Sequence, residues 1–96
     1  MNEKNLLKNI TSIKQTCKSS PSQWVVKLKD GRMMDIRYRW GVLSMRISES
    51  STNDIFDVVV SGKQIFKKQI GDGLDGYMKT KDMLSYLKEA LEKGHS

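Results

Sequence analysis

The most constraining feature of this sequence is the alternation of apolar and polar residues over residues 24–47, which two glycines interrupt. An alternation with a period of two is typical of β-strands that bury one face. Gly31 follows an aspartate and Gly41 follows a tryptophan. Glycine readily adopts the positive φ angles that tight hairpin turns need. The pattern therefore predicts three strands joined by two hairpins.

The apolar positions also predict how these strands pair. In the first hairpin, a three-residue loop over 29–31 places Val26 opposite Met34 and keeps the apolar residues on one face, whereas a two-residue turn mixes the faces. In the second hairpin, a two-residue turn at 40–41 pairs apolar residues only with each other. A bulge at Gly41 within one long strand is the alternative. The other predicted apolar pairs are Trp24 with Ile36, Tyr38 with Leu43, Ile36 with Met45, and Met34 with Ile47.

The N-terminal part of the chain has a different period. Apolar residues recur at spacings of four, three and four from Leu6 to Cys17, which predicts an amphipathic helix over residues 2–18. Lysines lie away from this apolar stripe. A Ser-Ser-Pro-Ser run follows and predicts the end of the helix, because proline cannot continue the helical hydrogen bonds.

The rest of the chain completes an α+β fold. Residues 55–60 and 64–70 are rich in β-branched and aromatic residues and are predicted to form strands. A C-terminal helix is predicted to begin near Thr80 and to end at Gly94. The order predicts a single domain over residues 1–96: an N-terminal helix, an antiparallel meander of about five strands, and a C-terminal helix, with both helices packed on one sheet face.

Composition indicates the setting in which such a domain works. No stretch approaches the roughly 20 consecutive apolar residues of a membrane span. The N-terminus lacks the apolar segment of a signal peptide. Cys17 is the single cysteine, so it has no partner for an internal disulfide. These features favour a reducing, cytoplasmic location and argue against a membrane as partner.

Candidate catalytic groups are scarce. His95, the single histidine, follows the residue that ends the C-terminal helix, whereas a catalytic base needs a fixed position. Cys17 lies on the apolar stripe, where a buried thiol is the usual role. One cysteine and one histidine cannot build a zinc site. The glycine-rich segment 71–76 lacks the helix start of a phosphate-binding loop and the oxygen ligands of a calcium loop. We therefore expect no enzymatic activity, no metal and no cofactor.

The polar face of the predicted sheet concentrates positive charge. The chain has 17 Lys and Arg residues against 11 Asp and Glu, a net charge of +6. The predicted registers place one carboxylate on this face, Asp35, as a charge pair opposite Arg46. Guanidinium groups suit phosphates or clustered carboxylates because each presents a planar fork of donors. A solvated face that binds nothing is the alternative. Trp40 is a candidate anchor if the turn exposes it. The candidate binding residues are Lys27, Lys29, Arg37, Arg39 and Arg46.

These features favour a small non-enzymatic binding or adaptor module that engages an acidic protein surface or nucleic-acid phosphates through its basic sheet face. The face lacks the aromatic residues on which single-stranded nucleic acids stack, so a nucleic acid would be held by its backbone. One alternative is a small inhibitor-type protein, of the kind that mobile elements encode, that blocks a nucleic-acid-handling enzyme; it depends on size and charge alone. A homodimer that buries an edge strand or the mixed face is the other.

Overall fold

The computed structural model describes residues 9–19 and 21–94 of the chain. The strands of that part form one sheet in the order β1-β2-β3-β4-β5, and each pairs antiparallel with its neighbour in the chain. The predicted α+β class and the five-stranded antiparallel meander are therefore confirmed. The elements are β1 (Ile10–Cys17), β2 (Ser22–Leu28), β3 (Met33–Arg39), β4 (Val42–Ile47), α1 (Ile55–Ser61), β5 (Lys63–Gln69) and α2 (Thr80–Gly94).

Both predicted hairpin registers are confirmed. Val26 pairs with Met34 across the first hairpin, and Gly31 has a φ of 90° in the connecting loop. The apolar pairs predicted across the second hairpin are all present, which excludes a bulge within one long strand. This hairpin closes through a two-residue turn at 40–41 in which both residues have positive φ. Such type I′ turns match the right-handed twist of the strands that they join.

The predicted N-terminal helix is wrong over the described residues, because residues 10–17 form the edge strand β1. Ile10 and Ile13 both pair with β2 and pack against the core, although three positions separate them. A register shift directly after Ile10 inserts one extra residue into β1, so Ile10 and Ile13 can lie on the same face of the sheet. A bulged strand can therefore carry the apolar spacing of a helix. Residues 2–8 of the predicted helix lie outside the described residues.

The strand predicted over residues 55–60 is also wrong, since these residues lie in helix α1. Asp54 is the N-cap, and its side chain accepts a hydrogen bond from the Phe56 amide at 3.0 Å. The cap satisfies one of the amides that the first helical turn leaves without a partner. This cap and the burial of Val58 outweigh the strand preference of the β-branched residues, which is weak without strand neighbours.

The two helices cover opposite faces of the sheet. Met83, Leu87 and Ala90 of α2 lie in one hydrophobic cluster with the apolar face. Helix α1 contacts β3 and β4, and its buried Val58 lies outside that cluster, as does the buried Met33 on the polar side of β3. The expectation that both helices pack on one face is therefore wrong. The buried sheet residues of the cluster are Trp24, Val26, Leu28, Met34, Ile36, Tyr38, Leu43, Met45 and Phe66.

Residues 70–78, which we call the end segment, cross the end of the sheet at which the β3–β4 turn lies. The Gly41 amide donates to the Asp75 carbonyl at 2.7 Å, and the Ser22 amide donates to the Gly76 carbonyl at 2.8 Å. An isolated bridge continues this contact to the chain just after β1. The end segment thus fixes where α2 begins relative to the strands.

Tyr38 links the end segment to the core, because its hydroxyl donates to Asp75 Oδ2 at 2.6 Å. Burial, and then the hydrogen bond to Asp75, raise the pKa of Tyr38 from 10.0 to about 12. The folded state holds this proton more tightly than the unfolded chain, so the stabilisation is complete below pH 10.0 and is lost as the pH rises toward about 12.

We expect urea unfolding to show a steeper loss of stability over this range in the wild type than in Tyr38→Phe. Parallel curves for the two proteins would contradict this linkage.

Candidate binding face

The sheet face opposite α2 gathers basic side chains from all five strands. Cross-strand pairing places Lys14 beside Val25, and Lys67 beside Ser44, on the same face as the cations of β2, β3 and β4. The sequence pattern does not reveal Lys14, because its segment has helical spacing. It does not reveal Lys67, because a helix separates β5 from β4. We call this surface the basic face, and its cations are Lys14, Lys27, Arg37, Arg39, Arg46 and Lys67.

The basic face has little negative charge of its own. Asp35 is its acidic residue within residues 9–19 and 21–94, and its side chain is nearly buried. The exposed cations make no ion pair with a described residue, so the face carries a positive potential. These exposed cations are Lys14, Lys27, Arg39 and Lys67.

Asp35 holds part of the face in place. It is 6% exposed and accepts a hydrogen bond from Gln23 Nε2 at 3.2 Å. Its other carboxylate oxygen lies 3.8 Å from Arg37 Nη2. The predicted register of Asp35 with Arg46 is confirmed, but the predicted charge pair is wrong, because the ion pair forms with Arg37 instead. Arg37 Nε is buried and has no hydrogen-bond partner among the described residues. Arg37 is therefore less available to a partner than the exposed Arg39.

Two of the predicted binding residues have other positions or roles. Arg46 Nη1 donates to the carbonyl of Gly62 at 3.0 Å, and Gly62 is the C-cap of α1. This contact satisfies a carbonyl at the partially negative end of the helix and holds α1 on the sheet. Lys29 lies in the loop after β2, where its amide donates to the Asn9 carbonyl at 2.8 Å, and it borders a cleft on the α2 side. Lys29 is therefore not part of the basic face.

Trp40 borders the basic face at the β3–β4 turn. Its side chain is 63% exposed, and the Arg39 guanidinium lies 4.2 Å from the centre of its ring. The contact is a cation–π interaction, which holds both side chains at the surface. Trp40 has a φ of 55°, an uncommon conformation for a bulky residue. The predicted exposure of Trp40 in a turn is confirmed, and its role as an anchor remains a prediction.

Helix α1 packs on β3 and β4 and borders the basic face away from the β3–β4 turn. Phe56 and Val60 are 66% and 64% exposed, and Val59 is also exposed. These positions are three and four residues apart, so they lie on one side of the helix. We call Phe56, Val59 and Val60 the apolar strip. The sequence does not predict the apolar strip, because the segment has the composition of a strand and only a helix brings these three residues together.

The cysteine, the histidine and the acidic residues are the other side chains whose placement bears on chemistry. Within residues 9–19 and 21–94, no group of three or more histidine, cysteine, aspartate or glutamate residues could hold a metal ion. The half-buried Cys17 thiol donates to the Ser19 carbonyl at 3.5 Å. His95 lies outside the described residues. Neither helix in this part of the chain has the length and apolar character needed to cross a bilayer.

Comparison with known proteins adds no assignment. No protein-family model, curated protein or solved structure matches this chain. The basic face, with the apolar strip at one end and Trp40 at the other, is therefore the feature from which a function is inferred.

Proposed function

We propose that this chain is a binding protein whose basic face docks an acidic segment of another protein. The observation that carries the proposal is that exposed apolar side chains stand at both ends of a face of exposed cations. A few residues, most often Trp, Tyr and Arg, supply most of the binding energy of protein interfaces, and Trp40 and Arg39 are of these types. Charges around them set orientation and association rate. The face combines both elements.

The cations suit the carboxylates of an acidic segment, although they suit phosphates equally well, so the choice between these anions depends on the apolar strip. Arg39 presents a planar fork of donors that suits a carboxylate, and its ring contact with Trp40 keeps that fork oriented. Lys67 and Lys27 are exposed point charges that steer an acidic partner toward the sheet. Binding should therefore weaken as the salt concentration rises, because salt screens exposed charges.

The apolar strip favours a protein over a nucleic acid. Phosphates need cations, and unpaired bases need aromatic rings on which to stack. Trp24 and Tyr38 are buried under α2, so the exposed rings that border the face are Trp40 and Phe56, which stand at its opposite ends and form no continuous stacking platform. The exposed Val59 and Val60 gain nothing from a phosphate backbone, whereas a protein partner can bury them.

The size of the face also requires the apolar borders. A seven-residue strand spans about 20 Å, and five strands span about 20 Å across the sheet. The whole sheet face therefore measures about 400 Å², and α1 covers part of it, so less than half of the roughly 800 Å² that each partner buries in a standard interface is available. The apolar strip and Trp40 supply the additional contact area that a stable complex needs.

Matched surface variants test the proposal. We expect Arg39→Glu with Lys67→Glu, and separately Phe56→Ser with Val60→Ser, each to reduce capture of one protein from nuclease-treated lysate of the source cells by about ten-fold. All four residues are exposed, so the melting temperature should stay near that of the wild type. The control is Lys79→Glu with Lys81→Glu, which makes the same charge change at the start of α2 and should keep capture intact.

Three outcomes would reject this function. Equal loss in the control would mean that net charge alone drives capture. Capture that depends on nucleic acid, survives in the apolar-strip variant and is lost in the charge variant would identify a phosphate backbone as the partner. Capture that neither pair of substitutions changes would leave the basic face as a solvated surface.

A further inference from the structure

A second surface lies on the α2 side of the sheet, away from the basic face. A cleft of about 360 Å³ opens between the β2–β3 loop, the start of β5 and the last turns of α2. This volume is within the range typical of small-molecule sites. The apolar residues that line it are Leu28, Ile47, Ile65, Ala90 and Leu91.

Helix α2 carries a small side chain where it borders the cleft. The other buried positions of α2 are large, as at Met83, Leu87 and Leu91, and they fill the space above the sheet. Ala90 is fully buried but ends at its Cβ, so the space between α2 and the ends of the strands stays open. Ile47 and Ile65 are only partly buried, which leaves apolar surface facing this space.

The rim of the cleft is positively charged. Lys29, Arg32 and Lys63 line it, against the single carboxylate of Asp30. Asp30 forms an ion pair with Arg32, whose Nε lies 2.7 Å from Asp30 Oδ2. The Arg32 amide also donates a hydrogen bond to Asp30 Oδ1 at 3.0 Å. The two lysines form no ion pair with a described residue. The rim therefore carries a positive charge that attracts an anionic group to the cleft.

We propose that this cleft binds a single-chain amphiphile with a carboxylate head, such as a medium-chain fatty acid. The hydrocarbon chain lies against the isoleucines and leucines, and the carboxylate accepts hydrogen bonds from Lys29 and Lys63. Apolar walls with a few convergent polar groups are the usual composition of such sites. The site is on the other side of the sheet from the basic face, so it is independent of the proposed function.

Methyl resonances of the full chain provide the first test, with decanoate as the probe. Decanoate should shift the methyl signals of Leu28, Ile47, Ile65 and Leu91 saturably, whereas decyltrimethylammonium, with the same chain and a positive head, should not. Equal shifts with both amphiphiles, or no shift with decanoate, would overturn the proposal. If the same signals move on dilution without any amphiphile, a second copy of the chain occupies the cleft and the proposal also fails.

Substitutions at Ala90 and at the two lysines test separately how the apolar walls and the charged rim contribute to decanoate binding. Ala90→Leu fills the cleft and should abolish the decanoate shifts, while Ser85→Leu, on the exposed side of α2, should leave them intact. Lys29→Glu with Lys63→Glu should weaken decanoate binding by about ten-fold, since it removes both charge-assisted hydrogen bonds. These exposed lysines can be changed without disturbing the core, so the test stands even if Ala90→Leu fails to fold. Unchanged decanoate affinity in the double lysine variant would show that the rim does not recognise the head group.

Discussion

Replacing Ile36 with aspartate is expected to remove a large part of the free energy of unfolding of the domain. Ile36 is fully buried at the centre of the sheet, between Trp24 on β2 and Met45 on β4. A carboxyl group at this position has no partner, and the lost packing adds to the cost of burying it, for a total of about 4 kcal/mol or more. A domain of 96 residues has a total stability of about 5–14 kcal/mol. Circular dichroism during urea unfolding measures the change.

Two controls show whether burial is the cause. Ile36→Val keeps an apolar side chain and should cost about 1 kcal/mol. Arg39→Asp introduces the same carboxyl group on the same strand at an exposed position, and should change stability little. If Ile36→Asp keeps the wild-type midpoint, the assignment of this face to the core is wrong.

Replacing Gly41 with alanine is expected to have the second large effect. Gly41 has a φ of 75°, which an alanine adopts only with strain. A Cβ at this position would also collide with the backbone oxygens of Gly71 and Asp72, which cannot move without shifting the end segment. The hydrogen bond that the Gly41 amide donates to the Asp75 carbonyl would then be lost. We expect a destabilisation of about 2–4 kcal/mol by urea unfolding.

Gly73→Ala is the matched control for that substitution. Gly73 lies in the same end segment, and a Cβ there meets no atom within 4 Å. Its stability should therefore stay near that of the wild type. If Gly41→Ala is equally mild, then the end segment moves freely and does not depend on its contact with the β3–β4 turn.

The central hairpins were predictable from sequence because their signals agree with one another. Alternation over residues 24–47, the two glycines and the requirement for one apolar face all favour the same pairing. A shift by one residue would move Ile36 and its neighbours to the wrong face. Local chemistry was sufficient here, since each strand contacts the next one in the chain.

The flanking elements were not predictable in the same way, because tertiary contacts decide them. Residues 10–17 have helical spacing, but pairing with β2 and a bulge after Ile10 make them a strand. Residues 55–60 have strand composition, but the Asp54 cap and the burial of Val58 make them a helix. In both segments the apolar pattern or residue preference is too weak to decide the structure, which depends on strand pairing in the first and on the cap and packing in the second.

The candidate site was predictable only where it lies on the central strands. The register alone places Lys27, Arg37 and Arg39 on one face. The anchoring role of Arg46 could not be predicted, because it depends on the position of α1. The apolar strip depends on the same helix, and so does the case for a protein partner. Because α1 is one of the two elements that the sequence patterns misassign, the apolar part of the face emerges only from the fold.

The placement of the two helices in the chain has a consequence for synthesis on the ribosome. Chains fold from the N-terminus as they emerge, and α2 follows all five strands. We expect α1 to reach its face of the sheet before β5 is added, whereas the opposite face, with Trp24, Ile36 and Met45, stays uncovered until α2 has emerged. The basic face and α1 are thus in place before α2 covers the core. A nascent chain that pauses before α2 exposes the apolar face of its sheet to solvent. We expect the chain to be most prone to aggregation at this stage.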